Sequence, residues 1–317
     1  MISLLTIIHP LIDACSVSVL VAGGMSWERV IAYNALAFAL QLPLGVVMDE
    51  RPRFTRLGFF VGTGMVFVAA VTCALGMGGW LVLAAACVGN ALFHLTAGKH
   101  VLEAHGGRAG PIGLFISTGA LGLMAGQVWA AQAAGVCLAV FAGALGACVV
   151  VGAVWGATGK MPVVPVAGKM PATPIIGRVP ATPIMGRMRV APEAVLVGLF
   201  VLIAWRSWAG LFAGGRSAGG CALMMLVGAA VTFAGKVAGG YLAERVGCWK
   251  VTAFSVVGSA ALVFVCEPEW VVPWLVLLFI AQLATGPVLS LVYEKMERRG
   301  GTSFGLNCLG LFMGSLA

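Results

Sequence analysis

Four ionisable side chains interrupt long apolar runs in positions where they could do chemistry: His9, Asp13, His94 and Arg206. His9 and Asp13 are four residues apart and share one face of a helix. An imidazole beside a carboxylate can take up and release a proton, because histidine changes charge between about pH 5 and 8. His94 lies about two-thirds of the way along its own apolar run. It suits the same chemistry, or equally a hydrogen bond to a neighbouring helix. Arg206 is a fixed positive charge able to bind an anion. Asn34, Gln41, Gln127 and Gln282 are neutral polar groups that could line a cavity or join helix to helix. Lys99 and Glu103, again four apart, read as an interfacial ion pair. Lys236 has a stem long enough to snorkel toward the membrane surface.

The elements that hold these residues are membrane-spanning helices. The chain of 317 residues is 61% hydrophobic and only 9% charged, with a mean hydropathy of +1.04. Soluble domains carry about a quarter charged residues, so the natural solvent for most of this surface is lipid. The net charge of +8 falls in short clusters between apolar runs, which argues against nucleic acid as a partner. A crossing needs about 20 apolar residues. The runs 2–23, 29–48, 57–77, 80–102, 110–131, 134–156, 193–214, 219–242, 249–267 and 270–292 all qualify. The segment 303–317 begins as an eleventh helix but covers only about 22 Å at 1.5 Å per residue, and the chain reads as ending inside it. These lengths predict an all-α polytopic membrane protein.

Orientation follows from the loops. Arg51, Arg53, Arg56, Lys99, Arg108, the five bases between 160 and 189, Arg245, Lys250, Lys295, Arg298 and Arg299 fall on one side, against Arg29 and Arg216 on the other. The positive-inside rule makes the first side cytoplasmic, with the N-terminus inside. The first run lacks the cationic start and cleavage site of a signal peptide and reads as a retained helix in the cell (plasma or inner) membrane.

On a helix Asp13 lies about 18 Å along its span and Arg206 about 20 Å along its own, both near the midplane. Charges there are costly and therefore candidates for function, as a pair across a central cavity or as a static ion pair. The region 158–192 repeats every nine residues, as GKMPVVPVA, GKMPATPII and GRVPATPIM. Its regular prolines forbid a helix and favour an extended linker. It separates an N-terminal six-helix bundle, 1–157, from an incomplete C-terminal bundle, 193–317. The nine cysteines show no CxxC or metal-ligand spacing. No hydrolase, zincin, Walker or dinucleotide motif is present. Neither an enzyme nor a bound cofactor or metal is expected.

The two parts resemble each other. Gly45, Asp49, Arg51 and Arg53 follow the second span, and Gly240, Glu244 and Arg245 follow the eighth, with the acids 195 residues apart. Gly89-Asn-Ala-Leu-Phe and Gly286-Pro-Val-Leu-Ser recur at nearly the same offset. That offset also carries Asp13 to within two residues of Arg206. A duplicated unit is a transporter habit. The run GYLAERVG resembles the signature loop of the major facilitator superfamily, approximately Gly-x-Leu-Ala-Asp-Arg-x-Gly-Arg. The first copy keeps Gly45, Asp49 and Arg53 but has Glu50 and Pro52 where the family prefers a base and a glycine. The stretch from Gly89 through Phe93-His94 to Gly113, Gly119, Gly122 and Gly126 is similar to fosmidomycin-resistance-type exporters of that superfamily.

The resemblance implies two helical bundles that rock about a central site, with Asp49 near the start of the eleventh helix holding one access state. It implies that helices five and eight touch between the bundles, where Gly122-xxx-Gly126 and Gly235-xxx-Gly239 would allow close approach. The half-repeat together with Asp13, Arg206 and His94 inside the apolar runs, and His9 beside Asp13, points to proton-coupled efflux of a small organic molecule through these residues, with Arg206 suggesting an anionic one. A truncated relative that does not transport, or a membrane scaffold using the repeat, is the alternative.

Overall fold

A computed structural model describes residues 2–157, 192–218, 221–265 and 271–316. The nonapeptide linker lies outside the described residues. The helices are α1 (Ile2–Ala22), α2 (Trp27–Asn34), α3 (Gln41–Glu50), α4 (Arg53–Ala74), α5 (Trp80–Ala104), α6 (Ala109–Ala157), α7 (Pro192–Ala218), α8 (Ala222–Val246), α9 (Cys248–Val265), α10 (Val271–Gln282), α11 (Thr285–Lys295) and α12 (Gly300–Ser315). A π-helical turn, Ala35–Ala39, joins α2 to α3, and Leu40 N–H donates to Ala35 C=O across it at 3.1 Å.

The described helices give ten crossings, followed by α12. The stretch α2–π–α3 is one crossing, and so is α10–α11. Conversely, the run Ala109–Val150 holds 42 residues, about 63 Å of helix, or twice a ~30 Å hydrocarbon core. It divides at Ala133, whose φ of −153° and ψ of 70° leave the helical region. The crossings expected at 110–131 and 134–156 are these two parts of α6. Exposed Val68, Leu81, Val136, Val257, Phe264 and Val272 form the apolar outer face. With no water to bond exposed backbone, only helices that satisfy their own peptide groups can present such a face to lipid. The chain is a multi-pass membrane protein with all-α architecture.

The break between α10 and α11 has a local cause. Pro287 has no N–H to give to the carbonyl of Leu283, and its ring crowds that turn. The helix therefore restarts at Thr285, and Gln282 and Thr285 face the bundle interior from either side of the break. Pro10 in α1 likewise removes one helical hydrogen bond, next to His9.

The largest core cluster is built mainly from α1, α4, α5 and α6, with Ile8, Ile12, Phe93, Leu95, Ile112, Phe115 and Leu138 almost fully enclosed. A second cluster joins Leu199 and Ile203 of α7 to Val288, Leu291 and Val292 of α11. α1 packs along α6 where Gly122 and Gly126 lie against the backbone of Pro10 and Ala14. Gly235 and Gly239 of α8 lie against Phe279 and Leu283. Both small-residue pairs therefore tighten contacts inside one half of the molecule. The contact between halves uses other glycines, as the site shows.

Candidate functional site

His9 and Asp13 project from one face of α1 toward α5, where Asn90 and His94 are also one helical turn apart. Asp13 Oδ2 is 3.3 Å from His9 Nε2, and Asp13 Oδ1 is 3.3 Å from His94 Nε2. Asn90 donates to Asp13 Oδ1 at 3.0 Å and to Ser16 Oγ at 3.3 Å. All four polar side chains are buried. Gly119 of α6 closes the cluster, because a methyl group there would strike Asp13 Oδ2 and come within 2.6 Å of His9 Nε2.

The protons in this cluster can be assigned from its acceptors. His9 Nδ1 is 2.8 Å from Phe115 C=O and His94 Nδ1 is 2.9 Å from Asn90 C=O. A carbonyl only accepts, so both Nδ1 atoms carry hydrogen. Both Nε2 atoms then have lone pairs in the neutral rings, yet they lie 2.6 Å apart beside a carboxylate. One added proton turns that repulsion into an Nε2–H···Nε2 hydrogen bond and balances Asp13. Two imidazoles and a carboxylate are also a donor set for a transition metal, and their ligand atoms lie within 4.8 Å of one another. Two nitrogens at about 2.0–2.1 Å from a tetrahedral zinc would stand ~3.3 Å apart. The 2.6 Å contact fits a shared proton.

Arg206 of α7 is also buried, at 4% exposure. Its Nη1 donates to Gln282 Oε1 and to Thr285 Oγ1, both at 3.1 Å. Nε and Nη2 have no hydrogen-bond partner among the described residues. Asp13 and Arg206 do not pair with each other. Lys236 of α8 is half-buried, and its backbone C=O lies against Gly113 of α6.

The other polar candidates are dispersed. Gln127 lines a cavity of about 270 Å³ with Val21, Gln132 and Met225, away from the basic end of the bundle. Gln41 donates to Ala37 C=O at 2.6 Å, and its Oε1 is buried without a partner among the described residues. Asn34 is half-buried at the end of α2, beside the π turn.

At the basic end two acids reach from one half to the other. Asp49, at the end of α3, accepts from Gly301 N–H at 2.9 Å and from Thr302 N–H and Thr302 Oγ1 at 2.7 Å. These amides open α12, where helical N–H groups lack partners and the helix dipole favours an anion. Lys99 donates to Asp49 Oδ1 at 2.6 Å and also to Glu103. Lys99 therefore belongs to this junction as well as to its helical pair. Glu244, at the end of α8, accepts from Gly110 N–H at 3.0 Å in the first turn of α6 and from Arg108 at 2.6 Å. The bases paired with the two acids are Lys99 and Arg108, and Arg53 and Arg245 are exposed.

Gly45 and Gly240, each four residues before its acid, mark the crossings. A methyl group on Gly45 would strike Gly301 C=O, and one on Gly240 would lie 2.5 Å from Ala109 C=O. Gly113 and Gly286 are equally tight against Lys236 C=O and Ala109 C=O, at 2.6 Å. Asn90 and Thr285 join these groups as site residues that no sequence motif marks. Asn90 shares a helical face with His94, and that spacing was a readable signal. Thr285 meets Arg206 only through the proline break.

No protein-family model matches the chain, and no curated protein does. Among solved structures, a point variant of the fucose:proton symporter FucP of E. coli is similar over 99% of this chain and 89% of that one, at 14% identity and TM-score 0.62. FucP described as a major facilitator superfamily transporter in the outward conformation gives the same values. A bacterial homologue of the iron transporter ferroportin, in an outward-facing state, is similar over the same shares at 16% identity and TM-score 0.53. With its helix order and two junctions, the chain has the fold of the major facilitator superfamily.

Proposed function

We propose that this protein is a secondary active transporter that exports a small organic molecule in exchange for protons by alternating access. The observation that carries the reading is the proton geometry of the buried His9, Asp13 and His94. A proton entering or leaving this cluster changes its charge by a full unit. In a medium of low dielectric that is a large change in the energy of the buried groups around it. Asp49 with α12 and Glu244 with α6 close one end by hydrogen bonds that a rocking motion must break. The basic end is cytoplasmic in this reading, and the protein lies in the cell membrane with its N-terminus inside. The outward conformations of the similar structures support the view that the closed end is the cytoplasmic one.

Purified protein in proteoliposomes, with a panel of labelled sugars, organic acids and amines, tests this. Substrate should move when a pH gradient is imposed and stop when the gradient is collapsed. No movement of any compound under either direction of gradient contradicts the proposal.

A further inference from the structure

Arg206 is held by two neutral groups on one side only. Gln282 and Thr285 both take Nη1, and Thr285 donates in turn to Gln282 Oε1 at 3.3 Å. This small ring fixes the plane of the guanidinium. The two nitrogens left without partners, Nε and Nη2, lie on the same edge of that plane. That edge carries two parallel N–H bonds, the fork that binds two oxygens of one carboxylate or phosphate. No acid forms an ion pair with Arg206 among the described residues. Asp13, the acid that the half-to-half offset matches with Arg206, is instead held by His9, His94 and Asn90.

A buried charge with three of its five donors unused among the described residues is expensive. A side chain needed only to brace Gln282 and Thr285 could be neutral, so an arginine here points to a negative partner. We infer that the Arg206 edge binds the oxyanion head group of the transported molecule, a carboxylate or a phosphate. The inference rests on the transporter reading for the word transported, but the binding itself does not depend on any gradient.

The test is equilibrium binding to the full chain in detergent, with benzoate and inorganic phosphate as probes and benzamide as the neutral isostere of benzoate. At least one anion should bind about tenfold or more tightly than benzamide, the usual advantage of a charge-assisted pair over a neutral one. The stronger probe says whether the site takes a carboxylate or a phosphate. Arg206→Lys, which keeps the charge and loses the fork, should weaken that probe by about tenfold. The comparison of benzoate with benzamide needs no variant, so it stands even if Arg206→Lys does not fold. Equal binding of benzoate and benzamide together with no binding of phosphate overturns the inference, and so does a folded Arg206→Lys protein with unchanged anion affinity. Anion binding without gradient-driven movement would leave this inference intact and contradict the transporter reading instead. Gradient-driven movement of a neutral compound, with no anion bound, would do the reverse.

Discussion

Asp49 takes both the amide and the hydroxyl of Thr302 at 2.7 Å, across a gap of 253 residues in sequence. The contact ties the end of a helix in one half to the start of a helix in the other. Glu244 repeats it from the other half, at the same end, with Gly110 and Arg108. The two junctions differ in burial, and this difference fixes the first predictions.

The Asp49 and Lys99 side chains are 5% and 8% exposed. Replacing Asp49 by Asn leaves the Lys99 charge buried with only Glu103 to answer it and weakens the cap on α12. Breaking a buried pair from one side costs about 3–5 kcal/mol. Asp49→Asn should therefore open the basic end, seen as faster alkylation of single cysteines placed near Thr302, and should slow transport. Unchanged alkylation would show that the contact does not hold the ends together.

Arg108 is 63% exposed in its pair with Glu244, where water screens the charges and such a pair contributes about 0–1 kcal/mol. The hydrogen bond from Gly110 adds about 1 kcal/mol more. Glu244→Gln should thus perturb the same alkylation assay in the same direction but less than Asp49→Asn. An equal or larger effect would mean that the two junctions are energetically alike.

The glycines at the crossing of α6 and α8 have no room for a side chain. Gly240→Val should wedge the halves apart and abolish transport while leaving the protein membrane-inserted and monodisperse. Gly122→Val, which strikes Pro10 of the same half, should instead lower the unfolding temperature. Identical behaviour of the two variants in thermal unfolding and transport would contradict the separation of roles.

His94→Asn removes the ring nitrogen that faces His9 Nε2 while keeping a polar side chain near Asp13. It should lose accumulation against a gradient and retain exchange of labelled for unlabelled substrate, because exchange needs no net proton movement. His9→Gln should behave alike. Gradient-driven transport at the wild-type rate in either variant would remove the cluster from the coupling path.

Much of this architecture was legible in the sequence. Hydropathy located the crossings because lipid demands long apolar runs, and that constraint is local. The i,i+4 spacing of His9 and Asp13 placed them on one face for the same reason. The junction of Asp49 with the start of α12 was accessible only by resemblance, since no local pattern links residues so far apart. What stayed hidden was the pairing of faces. Whether Asp13 meets Arg206 or His94 depends on the rotation of α1 against α5, and the close approach at Gly119 and Gly122 sets that rotation. Lys99 also looked complete with Glu103 on its own helix, and its second partner came from packing. Gly122 and Gly239 read as interface glycines by spacing, yet their partners lie inside each half; Gly113 and Gly240, the true contacts between halves, form no such motif.

A distance measurement across the closed end tests whether this junction controls alternating access. Spin labels at exposed Arg56 and Glu297, one in each half and in a background of replaced cysteines, report that distance by pulsed electron paramagnetic resonance. The otherwise unaltered protein should give a short distance, and Asp49→Asn should add a second, longer population. A single unshifted distribution in both proteins would contradict alternating access controlled at this junction.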